Sequence, residues 1–134
     1  MKRYGILNSS IARVLAGMGH TDQIAVGDCG LPIPEGPERI DLALALGEPP
    51  FLRVLEAVAG DMKVEKIVLA QEIQAQNPAV LAQVEQLFAG RGAAVEFVPH
   101  SALKEMTRRC KAVIRTGEAT PYANIILQSG CIFG

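Results

Sequence analysis

The chain has 134 residues, 49% of them hydrophobic and 20% charged, and carries a formal net charge of −1. That length suits one domain with its own core, and the near-neutral balance gives no basic field for nucleic acid or an anionic membrane. No run of about 18 apolar residues is present to cross a bilayer, and a charged fraction below the roughly 25% usual for soluble domains leads us to expect subunit contacts.

Asn8, Ser9, Ser10 and Arg13 break up the apolar residues behind the basic Met1–Gly5, so no secretory signal is expected. Ser9 or Ser10 is placed to cap a helix with Ile11, Val14, Leu15 and Met18 at helical spacing and Gly19 as its stop. Residues 23–28 read as a short buried strand, Cys29 to Pro37 as a loop, and residues 39–44 as an alternating strand. Pro49 and Pro50 open a second helix, and residues 66–70 form another buried strand. Asn77-Pro78, a cap followed by proline, starts a helix that Gly90–Gly92 ends. A strand at 95–98, a helix capped by Ser101, and strands at 112–115 and 124–127 complete the chain. From residue 64 onward strands and helices alternate, which predicts a single α/β domain over residues 1–134, with a mostly parallel sheet and helices on both faces.

Three widely spaced cysteines, Cys29, Cys110 and Cys131, fit free thiols in a reducing cytoplasm. The chemistry-bearing residues fall at element ends. His20 follows the first helix, and His100 follows a strand and Pro99; histidine titrates near neutral pH and suits acid–base work. A surface or capping role is the plainer reading of either one alone. Asp28 closes the first strand, eight residues after His20; it is read equally as a turn-former or as a carboxylate that grips a hydroxyl or orients a histidine. His20 and Asp28, at the two ends of one strand, are expected to frame a pocket for a polar small molecule. Lys104, four residues beyond His100, shares a helix face with it, though a solvated lysine is the simpler reading. Tyr122 and Asn124, two apart in an extended segment, project to one side as a polyhydroxylated ligand requires, while the tyrosine also suits the edge of the core. Glu118 reads as a brace for the turn or as a solvated side chain, and Cys29 as a small residue filling a strand end rather than a nucleophile. No Gly-x-Gly-x-x-Gly, Walker-type loop, zinc-ligand spacing or Gly-x-Ser-x-Gly elbow occurs.

These residues, taken in order, resemble the D-ribose pyranase family. The resemblance is carried by Asn8-Ser9, Gly19-His20-Thr21-Asp22, Asp28-Cys29-Gly30-Leu31-Pro32-Ile33-Pro34, Arg39-Ile40-Asp41, Glu72-Ile73 with Asn77-Pro78, Ala112 to Glu118, and Pro121 to Leu127. The related fucose mutarotases share the Gly-His turn, the aspartate and the Thr-Gly-Glu segment but typically lack the Gly-Leu-Pro-Ile-Pro loop. The resemblance implies cofactor-free interconversion of the pyranose and furanose forms of ribose, which supplies a downstream kinase. It also implies a cytoplasmic homo-oligomeric ring, commonly a decamer of two pentamers, with the sugar at a subunit interface. It assigns His20 as the acid–base residue and Asp28, His100, Lys104, Tyr122, Asn124 and the Ala123 backbone to the sugar. The alternatives are a mutarotase for fucose or another sugar and a non-catalytic sugar-binding protein. The short stretch at residues 86–94 and the tail Gly130–Gly134 depart from the family pattern and bear on assembly.

Overall fold

Side-chain alternation in the central strands decides the architecture. A computed structural model describes residues 1–134. Its elements are α1 (Ser9–Gly17), β1 (Gln23–Gly27), β2 (Glu38–Asp41), α2 (Phe51–Gly60), β3 (Val64–Ala70), α3 (Ile73–Gln76), α4 (Pro78–Phe88), β4 (Ala94–Val98), α5 (His100–Met106), β5 (Ala112–Arg115) and β6 (Ile125–Ser129). Ile24, Val26, Ile67, Leu69, Ile125 and Leu127 belong to one buried cluster, whereas Ala25, Val68, Ala70 and Ile126 belong to another. Successive strand residues point to opposite faces, so both faces are apolar and both need cover. Residues of α1, α2 and α4 complete the first cluster; Leu103 of α5, with Leu31 and Cys110, completes the second. The expected α/β domain with helices on both faces is the one observed.

The sheet order is β2-β5-β1-β6-β3-β4. Strands β2 and β5, β5 and β1, and β3 and β4 pair in parallel, while β6 runs antiparallel to both β1 and β3. This reversal matters for the site, because it sets the start of β6 beside the end of β1: Val26 faces Ile125, and Gln23 faces Gln128.

Several local expectations are corrected. Asn8, not Ser9 or Ser10, caps α1, its Oδ1 accepting from the Ile11 N–H at 3.0 Å. The strand expected at 39–44 ends at Asp41, whose Oδ1 accepts from Ala43 N–H and turns the chain, leaving Leu44 and Leu46 each 81% exposed. Helix α5 begins at His100, so Ser101 lies inside it; its first N–H, that of His100, is bound by Glu72 instead. Asn77 precedes α4 without a side-chain cap and donates from Nδ2 to Thr120 Oγ1 and the Pro121 carbonyl. The short α3 has no apolar period to announce it.

The loop Thr116–Asn124 is held from within. Thr116 donates to the Gly27 carbonyl at 2.8 Å and accepts from Glu118 N–H. Gly117 packs so closely on Glu48 that a Cβ there would lie 2.2 Å from its carbonyl oxygen. Glu118, whose neighbour Gly117 touches the chain leading into α2, accepts from the N–H of Phe51, the first residue of that helix, at 3.0 Å, and from the Thr120 hydroxyl at 2.8 Å. Burial opposes its ionisation, but the hydrogen bonds from Phe51, Thr120 and Ala119 outweigh it and hold the carboxyl below its ordinary 4.5. Such a depressed group stabilises the fold above its unfolded-state value and loses that effect as pH falls through its folded value. Glu118→Ala is therefore expected to cost about 1–2 kcal/mol at neutral pH, as the loss of a helix cap does. The gap to wild type should close in urea denaturation below pH 4.5.

Candidate functional site

Strand β1 ends in a carboxylate that the neighbouring strand orients. Asn124 Oδ1 accepts from the Asp28 N–H at 2.9 Å, Asn124 Nδ2 donates to Asp28 Oδ2 at 3.2 Å, and Gly30 N–H donates to Asp28 Oδ1 at 3.0 Å. Gly27 makes the arrangement possible, since a Cβ there would lie 2.6 Å from Leu31 Cδ2 and 2.9 Å from Asn124 Oδ1. Burial pushes the Asp28 carboxyl above its ordinary 3.8, outweighing its hydrogen bonds to Gly30, Asn124 and Leu31 and the nearby charge of His100.

Tyr122 and His100 stand beside this carboxylate. Their rings meet edge to face, centroids 5.1 Å apart and planes at 84°. Tyr122 adopts φ +58°, a left-handed backbone that is uncommon outside glycine, and Ala123 and Asn124 behind it are buried. Glu72 binds the His100 N–H with both carboxylate oxygens, at 3.0 and 3.2 Å. His100 Nδ1 is buried and bonds no protein group. A ligand hydroxyl meeting it would relieve an unsatisfied polar atom, a cost of about 1–3 kcal/mol. Lys104, one turn on along α5, is exposed and free of ion pairs; with Pro32, Ile33 and Pro34 it lines a cavity of about 300 Å³. Asp28, His100, Tyr122, Ala123 and Asn124 thus gather at one end of the sheet, with Lys104 on their flank.

His20 lies elsewhere. Its turn is fixed by Gly19 N–H on Asp22 Oδ2 at 2.9 Å and by Thr21 N–H on the Ser129 carbonyl at 2.9 Å, with Thr21 held at φ +73°. Ser129 ends β6 whereas Asn124 precedes it, so His20 and Asp28 sit at opposite ends of β1. The four residue steps of that strand alone span about 13 Å. The expected single pocket framed by His20 and Asp28 does not form within one chain, because the two ends of a strand are held apart by its extension. Nor does Asp28 meet His20; Glu65 of β3 does, with Oε2 at 2.9 Å from His20 Nε2. Beside His20 opens a cavity of about 580 Å³ lined in part by Leu15, Met18, Met62, Cys131 and Phe133.

The remaining groups are structural. Cys29 offers its carbonyl to Arg115 Nε at 3.0 Å and its N–H to the Glu118 carbonyl. All three cysteines are free, and burial raises Cys110 to about 12. No three His, Cys, Asp or Glu side chains stand together as a metal-ion site, and no helix is long and apolar enough to cross a membrane. Glu65 and Gly27 carry no role in the sequence reading, and Glu72 enters it only as part of the family resemblance; Glu65 meets His20 and Glu72 meets His100, both distant in sequence.

Carbon-13 titration of the carboxyls separates the two environments. Asp28 should titrate above 3.8, and Asp41, drawn down first by the Ala43 N–H and then by Arg115, below it. For a raised carboxyl the sign reverses: Asp28 contributes most to stability when protonated and loses that contribution as pH rises through its folded value.

A family model described as the RbsD / FucU transport protein family matches residues 1–132. Proteins named D-ribose pyranase from Bacillus cereus and Exiguobacterium sibiricum are 54% and 56% identical over 133 residues, covering 99% of this chain and all of theirs. The solved structure of Bacillus subtilis RbsD complexed with D-ribose superposes with a TM-score of 0.95 at 47% identity, covering 99% of this chain and 100% of that one. FucU from Bifidobacterium longum follows at 0.78 and 26% identity, covering 95% of this chain and 97% of its own.

Proposed function

The chain belongs to the RbsD / FucU family, and on that footing we propose that it is a D-ribose pyranase, interconverting the pyranose and furanose forms of D-ribose. The observation that carries this reading is the near-complete superposition on an RbsD that binds D-ribose. Full-length relatives named for that activity support it.

The residues suit the chemistry. Ring opening needs a proton delivered to the ring oxygen and one taken from the anomeric hydroxyl; reclosure sends a different hydroxyl onto the aldehyde. Asp28, Asn124, Tyr122, His100 and the Ala123 backbone hold the sugar's hydroxyls, with Lys104 at the rim, and keep the open chain in range for reclosure. His20 exchanges the proton. Since His20 stands at the far end of β1 from Asp28, it reaches the sugar bound by a second copy of the chain. The exposed apolar residues suit such a contact: Leu44 and Leu46 beyond β2, and Ile132 and Phe133 in the tail that follows β6 past His20. Contacts that join unlike ends of a chain close into rings when the rotation permits, which fits a cytoplasmic homo-oligomer, a decamer in the fullest form of the proposal. The furanose passes to a kinase. No cofactor takes part in this scheme.

Saturation-transfer NMR on D-ribose tests the reading. Wild type is expected to accelerate pyranose–furanose exchange, and His20→Ala to lose about 10²–10⁴-fold of that rate while keeping its assembly. An assembled His20→Ala protein with wild-type exchange would contradict the role of His20. Inert ribose with accelerated anomer exchange of L-fucose would replace the substrate.

A further inference from the structure

Around His20 the polar side chains form a directed chain across three adjacent strands. Gln23 of β1 donates from Nε2 to Gln128 Oε1 of β6 at 3.0 Å, and Gln128 donates from Nε2 to Glu65 Oε1 of β3 at 2.8 Å. The other oxygen of Glu65 lies 2.9 Å from His20 Nε2. We infer that Glu65 is the positioning residue for His20: it holds the imidazole with hydrogen on Nε2, so that Nδ1 is the nitrogen that trades protons with the sugar.

The argument is one of donors and acceptors. The Gln128 amide, and after it His20, hold the Glu65 carboxyl below its ordinary 4.5, so it is ionised at neutral pH. An ionised carboxylate only accepts, which makes Nε2 the donor and leaves the lone pair of the neutral ring on Nδ1. Two further features build the same arrangement. Gly130 leaves room for the acid, since a Cβ there would lie 3.0 Å from Glu65 Cβ and 3.4 Å from Oε2. The left-handed Thr21, tied to Ser129, fixes the backbone from which the imidazole projects. An exposed ion pair adds little to the stability of a fold, so stability gives little reason for this placement. Orienting an acid–base group does.

The inference rests on the proposed acid–base role of His20, and the experiment separates the two. In ¹⁵N spectra of the assembled wild type, above the pH where His20 is charged, Nε2 should appear protonated and Nδ1 bare. The opposite tautomer would overturn the inference whatever the sugar. In exchange kinetics with D-ribose, Glu65→Gln keeps the size of the side chain but no longer has to accept. We expect kcat to fall about tenfold to a hundredfold, the scale seen when metal-bound histidines lose their outer partners, with KM within about twofold and a mixed tautomer signal. Gln128→Leu, which frees the carboxylate but keeps its charge, should lose a smaller factor in kcat and serves if Glu65→Gln does not assemble. Wild-type kcat in an assembled Glu65→Gln protein, with His20→Ala inactive, would sink the inference and leave the functional reading standing. A wild type that leaves ribose exchange unaccelerated would sink the functional reading, and the ¹⁵N tautomer would then decide the Glu65 contact on its own.

Discussion

Strand β6 lies antiparallel between β1 and β3, pairing with both along most of its length. The polar contacts of Asp28, of Glu65 and of the His20 turn depend on that ladder. At one end it delivers Asn124 to the backbone and carboxylate of Asp28; at the other it delivers Gln128 to Glu65 and the Ser129 carbonyl to the His20 turn. The central residues of β6, Ile125, Ile126 and Leu127, are fully buried between the two clusters. Removing a side chain of that kind costs about 2–5 kcal/mol in a core. The rigidity of the middle therefore transmits to both ends, and a slip of one residue in register would turn every side chain of the strand to the other face.

The two ends differ electrostatically. Asp28 sits where burial raises its pKa, while Glu65 accepts hydrogen bonds that lower its own. Two carboxylates of the same chain are thus pushed in opposite directions by their surroundings, one by burial and the other by the hydrogen bonds it accepts. Backbone geometry marks the same two places. The two non-glycine residues with positive φ are Thr21, next to His20, and Tyr122, against His100. Strain of this kind, on the order of 1–3 kcal/mol at each position, persists where the surrounding structure fixes the conformation.

Much of this was legible in the sequence, for definite reasons. Runs such as 23–27 and 66–70 are apolar on both strand faces, and the Gly and Pro signals between elements set their order. Asp28 and His100 stood out because each falls where an element starts or ends, and Tyr122 and Asn124 because an extended segment projects them to one side; the four were grouped only by the family resemblance. What periodicity does not carry is pairing between distant strands. The extension of β1 holds His20 and Asp28 at opposite ends of the sheet, and the partner of His20 turns out to be Glu65, 45 positions away. Asn77 illustrates the same limit: it reads as a cap, yet its amide is engaged by Thr120 and Pro121. Side chains that bond locally follow local rules, and those drawn into tertiary contacts do not.

The account stands on a site shared between copies of one chain, and subunit mixing tests that most directly. His20→Ala and Asp28→Ala chains, each inactive by itself, would be dissociated together, reassembled and assayed for ribose ring exchange. If His20 of one copy serves the Asp28 cluster of another, about one contact in four joins two intact halves by random assembly, and activity returns in the mixture. A mixture that assembles as wild type does and stays inactive would contradict the shared site.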